Sequence, residues 1–348
     1  MSGTIGFSTP TGTLAVLARD SSTIKDRLEV LTQQSASGRV ADSYAGLGEQ
    51  AHVSIDLRPR LQHIEGWKNN IAAAGPRLQI TQAALQRLSD IASNFATATL
   101  GLATQTSAGI DATAIEAKSA LSEVQSLLNT QLNGIYVFAG QNNAAPPLPS
   151  ATLANFVTQT QAPIAAFGAV SGIATAAAVL AAAMATPLTT ATSRAMAQIG
   201  DGQDVAVGVV AGQNAYAVQS GAATSGSYVK DLVANLAALA ALTGGQTAQG
   251  SKFTDLVTGL GNGLRGAVVA LSTEMAGVGA QQAQFISTAS QLDDQSRAIT
   301  AQISGVEDVD LAATATALTQ VQAQLQASYH LISTIHSLSL VNFLSPGG

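Results

Sequence analysis

The chain contains no cysteine. Disulfides, thiolate metal sites and cysteine nucleophiles are therefore excluded. Charge is also scarce. Asp, Glu, Lys and Arg make up 10% of residues, against about 25% in an ordinary globular chain. Neither Asp, Glu, Lys, Arg nor His occurs between Val124 and Ser193, and none of the first four occurs from Leu311 to the end. Aromatics are held to 4%, and the net charge of −6 provides no electrostatic footprint for nucleic acid. Much of the 47% hydrophobic content is alanine. Such a composition favours long helices packed through small side chains, and 348 residues leave room for one or two domains with a real core.

Within the charge-free tail, Leu311, Thr314, Leu318, Val321, Leu325, Ser328, Ile332 and Ile335 recur in alternating steps of three and four. That spacing is the seam of a coiled coil, and Leu338 and Leu340 continue its apolar character. An exposed helix normally carries charge on its wet face. A helix without charge implies protein on more than one side, either inside one large globule or inside an assembly. A second seam runs through Leu14, Leu17, Ser21, Ile24, Leu28, Leu31 and Ser35, this time flanked by Arg19, Asp20, Lys25, Asp26, Arg27 and Glu29. Gly38 is its expected stop. The two end segments are expected to pair with each other or with neighbouring copies.

Between the ends, helix is expected from His52 to about Leu102, with Leu57, Leu61, Ile64, Ile71, Leu78, Leu85, Leu88 and Phe95 in register. Pro59 is tolerated near its start, whereas Gly75-Pro76 predicts a kink or a break. A further helix is expected over Asp111 to Leu132. Asn133-Gly134, followed by the β-prone run Ile135 to Phe138 and closed by Gly140, reads as a turn. Pro146, Pro147 and Pro149 are expected to open a non-helical part. The weakly apolar stretch Ile164 to Thr186 lacks flanking Lys, Arg, Trp or Tyr, so a packed Ala-rich helix or loosely ordered surface is expected rather than a spanning one. Asp201-Gly202 predicts a β-hairpin. Helix then resumes from Tyr228 to about Leu242, is broken at Gly244-Gly245, and returns from about Phe253 to Ile303. Gly305 is expected to end it. Glu307, Asp308 and Asp310 are read as acidic residues favourable to the start of the last helix.

The expected fold is mainly α, a long coiled-coil bundle of both terminal segments with a small mixed α/β insert. Its divisions fall at 1–40, an N-terminal coiled-coil segment; 41–140 and 226–308, two halves of a helical core; 141–225, an outward-facing insert; and 309–348, a C-terminal coiled-coil segment.

No chemistry emerges. Gly261-Asn262-Gly263-Leu264-Arg265-Gly266 matches G-x-G-x-x-G as a string, but no strand precedes it and its context is helical. Close helix packing is the simpler explanation. Gly245 to Lys252 lacks the Gly-Lys-Ser/Thr order of a phosphate loop. His52, His63, His330 and His336 form no metal-ligand pattern, and no Ser, His and acid are joined by a recognisable motif. No catalytic residue, metal or cofactor is expected. Met1 to Asp20 has no basic n-region, and its apolar run is too short for a secretory signal. Export, if it occurs, is expected by another route, without a cleaved signal peptide.

Three stretches carry a family resemblance. Gln131 to Gly140 (QLNGIYVFAG) is similar to the turn N-G-x-Y-x-F-A-G shared by flagellins and hook–filament junction proteins, through Asn133, Gly134, Tyr136, Phe138 and Gly140. Leu338 to Leu344 (LSLVNFL) resembles the ending of the junction proteins more than that of filament subunits. Ser37-Gly38-Arg39-Val40 is similar to the step after the family's first helix. The resemblance covers about residues 10–140 and 225–344. It departs at Ala41 to Gln50, where an acidic stretch is usual. It implies a structural protein of the bacterial flagellum, an adaptor joining hook to filament, with a filament subunit or a helical export chaperone as alternatives. The implied partners are copies of itself in a ring, another hook-associated protein, flagellin or hook-side subunits and an export chaperone, with neither nucleic acid nor membrane insertion. The implied location is extracellular, on the flagellum.

Overall fold

In the computed structural model of the chain, the described residues are 10–189 and 191–344; side chains are described for 15–189, 191–335 and 337. The chain divides into two compact units, residues 1–63 with 294–348, and residues 64–293.

The first unit holds α1 (Pro10–Ser37), the opening turns of α2 (Ala51–Leu102), the closing turns of α7 (Ser251–Glu307) and α8 (Leu311–Leu344). Gly38 ends α1 as expected. Its φ of 70° suits a residue without a Cβ, and its N–H bonds the Gln34 carbonyl at 2.9 Å. The chain then pairs antiparallel with the residues before α8 through an Arg39–Asp308 bridge. From that root α1 and α8 pack along each other as an antiparallel hairpin. Asp310 caps α8, its Oδ1 accepting from the N–H groups of Ala312 (2.9 Å) and Ala313 (3.1 Å).

The second unit is built around α6 (Tyr228–Ala240), in which every residue but Lys230 is buried. Helices α3 (Ser107–Leu128), α4 (Ser150–Ala165) and α5 (Gly172–Ala185) pack on α6. Leu78, Leu85 and Leu88 of α2 and Leu256, Leu264, Leu271 and Val278 of α7 supply further fully buried side chains. Ser227 caps α6 by accepting from the Lys230 N–H at 3.3 Å. Two hairpins complete the unit. β1 (Gln131–Leu132) and β2 (Ile135–Tyr136) flank Asn133-Gly134, both with positive φ (53° and 79°), as a type I′ turn demands. β3 (Ala195–Gly200) and β4 (Gln203–Val207) flank Asp201-Gly202. The loop after β4 is tied to α7. The Glu274 carboxylate accepts three consecutive backbone N–H groups, Ala215 to Ala217, each at 2.9 Å. Gln281 accepts from the Gly208 N–H (2.8 Å) and donates to the Ala206 carbonyl (2.5 Å).

The mainly α class, the turn at Asn133-Gly134 and the hairpin at Asp201-Gly202 match expectation. Several boundaries do not. α2 runs unbroken through Pro76 over 52 residues. The buried Ala74 and Leu78 on either side help hold the helix against a proline cost of about 3 kcal/mol. α7 continues through Gly305 to Glu307. α3 starts at Ser107, capped by Thr106, and stops at Leu128 so that the hairpin can form. The prolines at 146–149 do not open a non-helical part. Pro149 stands at the N-cap of α4, where a missing N–H costs nothing. Among the described residues, no helix is long and apolar enough to cross a membrane.

Candidate assembly interface

The residues read as a seam on α1 are spaced to fall on one face, and Leu17, Ile24, Leu28 and Leu31 are half-buried there, with Ser21 buried. At the end of the helix the protected position is Gln34, not Ser35, which is exposed. Gln34 turns back to donate to the Val40 carbonyl at 2.9 Å, which draws it rather than Ser35 inward. On α8, Thr314, Val321 and Ser328 are buried, and Leu318, Leu325, Ile332 and Ile335 are half-buried. Leu311 is 55% exposed instead of joining the seam, because α1 has already ended where α8 begins. The side chains of Leu14, Leu338 and Leu340 lie outside the described residues.

The flanks of the two helices differ. α1 exposes all six of its charges between Arg19 and Glu29. α8 has none to expose, and shows Tyr329 (45%) and Leu331 (55%) instead. Lys25 lies 6.0 Å from the centre of the Tyr329 ring, a cation–π contact between the helices.

At the hairpin root stands a cluster the sequence does not announce. Glu307 is 8% exposed. Its carboxylate accepts from Arg58 through Nε at 3.0 Å and Nη2 at 2.5 Å, and also from the Ser54 hydroxyl. Donation from Arg58, then from Ser54, holds the Glu307 carboxyl below the usual carboxylate range, and the same bond raises Arg58. Backbone bonds surround the cluster, from the Val40 N–H to the Glu307 carbonyl (2.7 Å) and from the Val309 N–H to the Gly38 carbonyl (3.0 Å). Glu307 therefore does not cap α8, contrary to expectation. α7 reaches it, so its side chain points back along that helix. The partners are 249 residues apart, beyond any local pattern.

The turn motif serves the second unit. Asn133 and Gly134 are exposed at the tip, Tyr136 is half-buried, and Phe138 and Gly140 are buried. The Phe138 carbonyl accepts from the Ala211 N–H at 3.2 Å. The Val137 carbonyl accepts from Arg77 Nη2 at 2.8 Å, and burial lowers the Arg77 pKa. A Cβ at Gly140 would collide with the Ser193 carbonyl. The motif is a docking element for the hairpin, and its glycine is there for close approach.

The G-x-G-x-x-G string lies inside α7, and its first two glycines, like Gly259 just before it, are packing positions. A Cβ at Gly259 would stand 2.6 Å from Ala176 of α5, and one at Gly263 would stand 2.5 Å from Asn235 of α6. At Gly261 it would strike Thr99 of α2. Gly266, the last of the string, has open space. Among the described residues no three His, Asp or Glu side chains are grouped to hold a metal ion.

Long helices and apolar seams at both ends, with no grouped metal-ligand side chains among the described residues, are the pattern of a helical structural protein. A family model described as the bacterial flagellin N-terminal helical region matches residues 13–143, and one described as the C-terminal helical region matches residues 262–344. Together they take in more than half of the chain, which belongs to the flagellin family and is a structural, non-enzymatic component of the bacterial flagellum. Members of that family are exported, self-assemble and associate with other flagellar proteins. No curated protein matches the chain. Among solved structures it is similar to one described as a putative flagellar hook-associated protein from Vibrio parahaemolyticus. The identity is 12%, the match covers 74% of this chain and 98% of that one, and the TM-score is 0.42, too loose a likeness to carry an argument.

Proposed function

We propose that the chain is the adaptor that joins the flagellar hook to the flagellin filament, held in a ring of copies by axial packing of its terminal helices. The observation that carries this reading is α8. It has no charge, α1 is the helix packed against it among the described residues, and it leaves Leu311, Tyr329 and Leu331 exposed. Inside a tube the innermost helix touches protein all around, so its second face can be Gln, Ser and Leu. The ending Leu338 to Leu344 supports a junction role over a filament role, because it resembles junction proteins. The partners on this reading are further copies, another hook-associated protein, flagellin or hook-side subunits and an export chaperone. The route out is the flagellum's own export apparatus.

Two experiments test the proposal. Purified protein should remain short of long filaments under conditions in which flagellin polymerises. Long filaments from this chain alone would make it the filament subunit. A deletion strain should keep its hooks and shed unattached flagellin. Normal swimming in that strain would contradict the adaptor role, and intact hooks with flagellin never exported would favour a chaperone.

A further inference from the structure

The α1–α8 seam has only small polar residues, the buried Ser21, Thr314 and Ser328, with which to fix its own register. Moving α1 by seven residues maps Leu17 onto Ile24, Ile24 onto Leu31 and Ser21 onto Leu28. The same shift in α8 maps Leu318 onto Leu325, Leu325 onto Ile332, and Thr314 onto Val321. Most apolar seam positions, though not Leu28 (onto Ser35) or Val321 (onto Ser328), are therefore matched after a slip of one heptad, about 10 Å along the axis at 1.5 Å per residue. Coiled coils ordinarily settle register with flanking ion pairs or a buried polar residue. α8 has no Asp, Glu, Lys or Arg to offer α1, and the Lys25–Tyr329 contact is at the outer reach of a cation–π interaction. The segment between α1 and α2 could absorb a slip. It contains two glycines of positive φ, Gly38 and Gly48, the second inside the 3₁₀ turn Tyr44–Gln50.

We infer that the Ser54–Arg58–Glu307 cluster is the device that sets the register of the terminal hairpin. It is the ion pair beside the root, and both Glu307 carboxylate oxygens are engaged. Holding the Glu307 side chain fixes the Glu307 carbonyl for the Val40 N–H, and this places Gly38 opposite Val309. Every seam pair above that root follows from the alignment. Fixing register is the best-attested use of a buried polar contact, whose net contribution to stability is small.

The absence of cysteine makes the test direct. Spin labels are placed on Val30→Cys and Thr316→Cys, both exposed, and the distance distribution is measured by pulsed electron resonance on the full chain. With Arg58 and Glu307 intact, one narrow population is expected. Glu307→Gln and, separately, Arg58→Met should each add a second, resolved population, as labels shifted by about 10 Å along the helix axis would give. Arg58→Lys, which keeps the charge but loses the fork, should give a smaller second population. An unchanged narrow distribution in both Glu307→Gln and Arg58→Met overturns the inference. So does a wild-type distribution that is already split. If either variant loses helix content by circular dichroism, the cluster is a folding contact and the inference also fails.

Discussion

Helices α6 and α8 are both poor in charge, yet their surroundings are opposite. α6 carries Lys230 and Asp231 near its start and nothing charged after them. Helices α3, α4 and α5 cover it, and its residues are buried on all faces. α8 carries no charge along its length and, among the described residues, packs on α1. Low charge marks a helix for burial without saying which molecule will bury it. α6 finds its cover within the chain. On our proposal α8 finds the rest of its cover in neighbouring copies.

Single aspartates should break the comparison most sharply. Leu236→Asp in α6 puts an unpaired charge into a closed core. It should destabilise the second unit by more than about 4 kcal/mol, seen as loss of its cooperative thermal transition. Leu325→Asp in the α8 seam should leave that transition within about 0.5 kcal/mol of wild type, yet abolish assembly and motility. A swimming Leu325→Asp strain would remove α8 from the interface.

The glycines of α7 sharpen it at smaller scale. Gly263→Ala places a methyl 2.5 Å from Asn235 on α6, and should cost about 1–3 kcal/mol from overpacking. Gly266→Ala, three residues on and facing open space, should stabilise by about 0.5–1 kcal/mol through helix propensity. Urea denaturation of the two variants reads both signs. Two equal effects would show that the helix packing here is looser than the close approaches imply.

The smallest effect concerns pH at the hairpin root. The Glu307 carboxyl titrates below its ordinary value of 4.5 in the folded chain. Its contribution is then complete above that value and lost as pH falls through the lowered one. Arg58 is partly open to solvent (41%), so the effect on overall stability is small. Amide exchange at Val40 and Val309, measured relative to α6, should accelerate below pH 4.5. In Glu307→Gln that ratio should stay flat with pH.

The parts legible in sequence were those governed by local chemistry. Asn133-Gly134 and Asp201-Gly202 have the backbone freedom of hairpin turns, Gly38 that of a helix stop, and three-four spacing marks the protected face of both end helices. What was not legible depends on partners far along the chain. Pro76 stays helical because flanking side chains are buried by the second unit. Glu307 is an ion-pair partner rather than a cap because Arg58 reaches it across 249 residues. Gly261, Gly263 and Gly266 match a nucleotide fingerprint as a string, and only the facing helices show that the first two are packing positions.

The central claim is that α6 is completed by this chain and α8 by others. Hydrogen exchange followed by mass spectrometry, on purified protein and on protein incorporated into flagella, measures it directly. In purified protein, residues 311–335 should exchange about a hundredfold faster than residues 228–240. On incorporation the first segment should slow to match the second, which should not change. Equal protection of both segments in the purified protein, or an α8 unaltered by incorporation, would contradict the account.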